Sequence, residues 1–157
     1  MVTRIKVKQI KKILILFFIL TLLHCCEYFN AGSYPYAEVF EIKTEKSSLL
    51  RIVDNFKNDH DQFDVPNNYN IKDGKDSHWY FVSFYVKGKV YCTWIREYND
   101  VSKTQFAFIG VYKFIDGNKS YKEINKINDE ENDKEKEVFK EIILNPILEE
   151  NKLELVQ

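Results

Sequence analysis

Cysteine is nearly absent from the body of this chain. Of three cysteines in 157 residues, Cys25 and Cys26 are adjacent near the N-terminus and Cys92 stands alone. A lone Cys leaves the body no internal disulfide, and within a strand pattern it reads as a small buried hydrophobe. Glycine is scarce too, at five residues. The sequence holds neither a Gly-rich phosphate loop nor a Gly-x-Ser-x-Gly nucleophile turn. Past His24 only His60 and His78 remain, so nucleophile–base pairs and metal-ligand sets lack members. A helix needs ~20 apolar residues to cross a ~30 Å hydrocarbon core. The apolar run at 13–23 has 11. No acidic residue occurs before Glu27.

What is present divides in two. Residues 1–26 hold five of the 23 Lys and Arg and none of the 24 Asp and Glu. The remainder has 18 basic against 24 acidic residues, a net charge of −6. Nucleic-acid binding rests on Lys and Arg neutralising phosphates, and anionic lipid headgroups ask for the same. Neither is an expected partner of so acidic a body. Aromatics make up 15% of the chain, which points to a packed core and excludes a polar stalk. Without residues 1–25 the chain has 132 residues, enough for one domain with a real core.

Gly32, Ser33 and Pro35 make 26–36 a tether, ahead of a single domain over 37–157. Alternation predicts a short strand at 37–43. Thr44 is placed as a helix N-cap, and Leu49, Ile52, Val53 and Phe56 at i, i+3, i+4, i+7 predict an amphipathic helix. The polar stretch 58–77 is long for a structureless loop, and Phe63, Val65, Tyr69 and Ile71 are available to pin it. Three strands rich in aromatic and β-branched residues follow at 78–86, 89–98 and 104–114. A two-residue turn at Lys87-Gly88 pairs Ser83 with Cys92 and Phe81 with Trp94; a three-residue turn including Lys89 reverses the faces. The charge run 128–136 leads into a second apolar stripe, Val138, Phe139, Ile142, Ile143, Ile147 and Leu148. Pro146 is expected to end or kink that helix near Leu144. The fold class is α+β, an antiparallel sheet of three to four strands with both amphipathic helices on one face.

The strands carry the oddest signal. Tyr80, Val82, Phe84 and Val86 fill one face of 78–86, and Trp79, Phe81, Ser83 and Tyr85 the other. In 104–114, Phe106, Phe108, Tyr112 and Phe114 oppose Ala107, Ile109 and Val111. A sheet with one wet face alternates more cleanly than this. The second face therefore has a cover: the loop 58–77, the C-terminal segment, or a partner protein or apolar ligand. Trp79, Phe81, Tyr85 and Trp94 are the candidate partner surface. The acidic stretch 59–64 lacks a calcium loop's ligand and glycine, having Phe63 and Asp64 at those positions, and no metal site is assigned. Phe106-Ala107-Phe108-Ile109 echoes an RNA-recognition strand but lacks its basic-Gly pair, having Thr104-Gln105 there. No catalytic residue and no cofactor is assigned; a hydrolase would have to draw on His60 or His78 as base.

The leader carries the one resemblance. Arg4, Lys6, Lys8, Lys11 and Lys12 precede the apolar run, which leads into Leu23-His24-Cys25-Cys26. A positive n-region, a short h-region and a Cys at its exit resemble the signal peptides of bacterial lipoproteins. The resemblance implies a hydrophobic signal helix over 1–25, with Cys26 (alternatively Cys25) as the acylated residue. One acyl chain binds a membrane marginally at ~0.8 kcal/mol per buried CH₂, and a lipoprotein Cys carries several, palmitate among them. An uncleaved signal anchor over 10–26 is the alternative. The expectation is a small lipoprotein of the bacterial cell envelope, facing the periplasm or the cell surface. It would act as a non-catalytic binding or scaffold module with an envelope protein as partner. The alternative is an inhibitor or immunity-type protein against a basic toxin or enzyme, and third comes an envelope hydrolase.

Overall fold

The computed structural model describes residues 34–76, 78–98, 100–115, 118–126 and 129–156. The signal helix, Cys25, Cys26 and most of the tether lie outside the described residues. The compact unit Tyr36–Gln157 is built on one antiparallel sheet. Its strands are β1 (Glu38–Ile42), β2 (Gly74–Asp76), β3 (Trp79–Val86), β4 (Lys89–Glu97), β5 (Thr104–Ile115) and β6 (Asn118–Glu123). The order is β1-β5-β4-β3-β2. The long β5 serves two neighbours on one side, β1 along Thr104–Phe108 and β6 along Gly110–Ile115. The helices are α1 (Lys46–Asp59), α2 (Glu130–Phe139) and α3 (Asn145–Glu150). Among the described residues no helix is long and apolar enough to cross a membrane.

The expected sheet of three to four strands is thus corrected to six, and the two helices to three. β2 reads Gly-Lys-Asp and β6 reads Asn-Lys-Ser-Tyr-Lys-Glu. Both are mostly polar segments that gain their strand character from pairing with β3 and β5. The added helix comes from Pro146. Its ring would clash with the carbonyl four residues back. The chain widens instead into a π turn over Lys140–Leu144, where Asn145 N–H bonds the Lys140 carbonyl, and the helix then resumes. α1 starts one residue later than the Thr44 cap implied, with Glu45 at the cap and no side-chain cap bond.

The hairpin between β3 and β4 is the two-residue one, with Val86 opposite Lys89. Lys87 and Gly88 both have positive φ, 49° and 82°, as a turn matching the right-handed strand twist demands. A bulge then changes parity in β5: Cys92 pairs Gly110, Thr93 pairs Phe108, and Ile109 is the extra residue. Phe106 and Phe108 therefore share a face with Val111, while Ala107 sits with Tyr112 and Phe114. This corrects the uninterrupted alternation assumed for 104–114. Gly110 is required at the bulge, because a Cβ there would overlap the Lys122 carbonyl and lie 2.7 Å from the Tyr121 hydroxyl.

All three helices pack on the face made by Phe40, Ile42, Val82, Phe84, Tyr91, Ile95, Phe106, Phe108 and Val111. They contribute Leu49, Val53 and Phe56 from α1 and Phe139, Ile147 and Leu148 from the α2–α3 run. Phe139 stacks on Phe108 at 4.6 Å and meets Phe40 and Phe106 at 5.8 Å each. The C-terminal segment runs along the outer edge of β1 through Lys43 N–H to Glu154 O (3.0 Å) and Val156 N–H to Glu41 O (2.8 Å).

Candidate functional site

The opposite sheet face holds the residues singled out as a partner surface. The register sets Phe81 beside Trp94, Trp94 beside Ala107, Tyr85 beside Val90 and Val90 beside Tyr112. Two strands, β3 and β4, thus bring Trp79, Phe81, Tyr85 and Trp94 to one face. Their environments differ. Trp94 is buried, as are Val90, Cys92 and Ala107 around it, whereas Trp79, Phe81 and Tyr85 are half-buried. Trp79 and Trp94 meet at 4.8 Å between ring centroids. Val39 and Tyr121 are exposed on the same face.

The loop before β2 reaches both faces. Phe63 is buried against Phe56 (5.2 Å) and Phe84 (6.2 Å) on the helical face. Tyr69 stacks on Phe114 at 3.6 Å and approaches Tyr85 at 5.9 Å on the aromatic face. Two short 3₁₀ turns, Asp61–Phe63 and Asn67–Tyr69, set these two rings. The loop expected to cover the aromatic face covers its Tyr85–Phe114 corner.

A polar row crosses the face beside the tryptophans. Arg96 lies over both rings, its guanidinium carbon 5.0 Å from the Trp79 centroid and 5.3 Å from that of Trp94. Its Nε donates to Gln105 Oε1 (2.5 Å), and Gln105 Nε2 donates to Glu41 Oε1 (3.4 Å). Lys119 lies 4.1 Å from the Tyr112 centroid. The Trp94 Nε1–H is buried with no hydrogen-bond acceptor among the described residues. Burial pushes the Cys92 thiol up to about 12, so it is neutral and a poor nucleophile at pH 7.

A second cluster, on the helical face, went unseen in the sequence. Glu135 of α2 is buried. It accepts from Lys89 Nζ at 2.5 Å and from the Tyr91 hydroxyl. Lys113 bridges Glu131, and Lys122 bridges Asp129 (2.9 Å) and Glu131 (3.1 Å). Burial raises the Tyr91 phenol pKa, and the Glu135 bond raises it further. Lys113 lowers the Glu131 carboxyl, and Lys122 lowers Asp129. A cleft of about 390 Å³ opens beside Glu135, lined also by Lys89, Glu130, Glu131, Lys134 and Val138. Both Glu135 oxygens are engaged, so the network ties α2 to the strands. The legible signal was placement: Asn132 and Glu135 fall on the helical stripe that continues through Phe139 and Ile143, where polar side chains need partners.

The two histidines stay apart from both clusters. His60 follows α1, with Nδ1 2.9 Å from the Phe56 carbonyl and Nε2 3.8 Å from Glu150. His78 is exposed just before β3. Among the described residues no three His, Cys, Asp or Glu side chains group as metal ligands. Neither a family model, nor a curated protein, nor a solved structure matches this chain.

Proposed function

We propose that this chain is a non-catalytic binding module of the bacterial cell envelope, tethered to a membrane by acylation at Cys26 and contacting a protein partner through its aromatic sheet face. The observation that carries the binding part is the sidedness of the sheet. All three helices take one face. The other keeps large rings, Trp79, Phe81 and Tyr85, half-buried over a buried floor of Val90, Cys92 and Trp94. Aromatic and Arg side chains at this density are the usual composition of interface anchors. The tether rests on the charge split of residues 1–26 and the Cys at the exit of the apolar run.

Metabolic labelling with a clickable fatty acid tests the tether in wild type, Cys25→Ala and Cys26→Ala, followed by membrane fractionation. Label lost in Cys26→Ala alone supports the assignment. No label in wild type, with the full-length chain still in membranes, replaces it with an uncleaved helical anchor. The face is tested by crosslinking in the envelope: Trp79→Ala with Phe81→Ala should abolish the captured partner, and an unchanged capture removes this face from the proposal.

A second reading, inhibition of a basic toxin or enzyme, draws on the outer side of the helical layer. Glu130, Asp133, Glu137 and Glu141 are exposed there, and Glu137 and Glu141 have no cationic partner among the described residues. Such a ridge would steer a basic protein. Association with that partner should then slow steeply as salt rises; a rate indifferent to salt counts against it.

A further inference from the structure

The cations of the aromatic face are held unlike those of the helical face. Lys89, Lys113 and Lys122 each meet a carboxylate. Arg96 and Lys119 lie over rings instead, and among the described residues neither has a carboxylate within 4.0 Å. Arg96 makes one hydrogen bond, through Nε, so its Nη groups are uncommitted. Beside it the Trp94 Nε1–H is buried without an acceptor. Guanidinium and indole N–H groups are donors only. The Trp94 indole donor, withdrawn from water and left unpaired, costs free energy that an acceptor restores, whereas the Arg96 Nη groups are open to solvent and so to an incoming acceptor. In a body that is net acidic, Arg96 and the Trp94 indole sit together on this face, while Lys119 lies at its far end opposite Phe114.

Resting on the binding reading above, we infer that the aromatic face docks a partner protein segment that presents an Asp or Glu carboxylate flanked by apolar side chains, the carboxylate seating on Arg96. The guanidinium is planar and its fork matches a carboxylate in two parallel hydrogen bonds. The rings of Trp79 and Trp94 flank its central carbon at 5.0 and 5.3 Å, and with Nε bonded to Gln105 its Nη groups are the donors left for a carboxylate. Val39 and Phe81, in the row of Trp94 next to Arg96, supply apolar surroundings.

The probe is an acetylated pentapeptide amide of alternating phenylalanine and glutamate, against its counterpart with glutamine in place of glutamate. Each is titrated into the full ¹⁵N-labelled chain in micelles while the two tryptophan indole N–H resonances are followed. The glutamate peptide should bind about tenfold more tightly, a difference of ~1.4 kcal/mol, and shift the Trp94 indole resonance. Arg96→Gln should erase the difference, and Arg96→Lys should restore part of it. Equal affinity for the two peptides, or a preference that survives Arg96→Gln, overturns the carboxylate assignment and leaves the binding face standing. Failure of both peptides to bind overturns it as well. In cells, a photo-crosslinker at Val39 should join a partner segment bearing a carboxylate; adducts with lipid or with this chain itself overturn it. None of these readouts depends on acylation, so failure of the membrane tether is a separate result.

Discussion

Glu135 shows how a single side chain can decide whether a helix docks. Buried carboxylates persist only when paired and hydrogen-bonded. Here Lys89 and Tyr91 take one oxygen each, and Lys113 stands 4.0 Å away. Lys89 and Lys113 are also directly opposed across β4 and β5, an arrangement that like charges disfavour unless an anion lies between them. Glu135→Gln removes that anion and leaves the shape. It should cost about 1.5–3 kcal/mol, the range for hydrogen bonds to a charged group, read as a lower urea midpoint at pH 7 with unchanged slope. An unchanged midpoint would mean that the lysines are satisfied by water. The residue was hard to see in the sequence because it sits in a run of mixed charges that looks like a solvated helix face; only its phase with Phe139 sets it apart.

Among the elements, the α2–α3 run and strand β5 do the most to define the molecule. Phe139 contacts Phe40, Phe106 and Phe108, so one ring joins α2 to β1 and β5. Phe139→Ala leaves a cavity that so many rigid rings cannot fill. It should cost about 3–5 kcal/mol, measured by chemical unfolding, and the loss should exceed that for Val138→Ala at the half-buried neighbour. The apolar stripe through Phe139 was legible from its period. The π turn was not, because Pro146 announces a break in hydrogen bonding without saying whether the helix stops or widens. In β5, the bulge at Ile109 was equally silent: every residue around it suits a strand. Parity is restored only by knowing that Gly110 passes against the Lys122 backbone.

At the scale of the whole molecule, charge governs how stability responds to pH. Lys122 holds Asp129 below its ordinary value of 3.8, Lys113 holds Glu131 below 4.5, and Lys43 holds Glu154 below 4.5. A carboxylate depressed in the folded state adds stability that is complete above its unfolded pKa and is lost as pH falls through the folded one. Lys122 is raised above 10.5 by Asp129, so its share is lost only as pH rises past that range. Stability should therefore be level from pH 5 to 9 as far as these groups are concerned and fall below about pH 4. Unfolding midpoints across that range test this, and Lys122→Met should flatten the acid arm. A midpoint that rises on acidification would show that repulsion within the acidic helical layer outweighs these pairs.

Sequence alone determined what depends on neighbours in the chain: the charge split of residues 1–26, the three central strands, and the stripes of the helices. These follow from local backbone preference and from the 2.0 and 3.6 residue periods of strand and helix. Tertiary structure alone decided what depends on distant partners. Which of the two turns that the sequence allows at Lys87-Gly88 forms was decided by the strand register. Polar β2 and β6 became strands because β3 and β5 offered backbone groups to pair. Glu135 became a core residue because two lysines and a tyrosine from other elements met it. Arg96 and Lys119 were left without carboxylates on the aromatic face because pairing is settled by the register across strands, a spatial relation that no local pattern encodes.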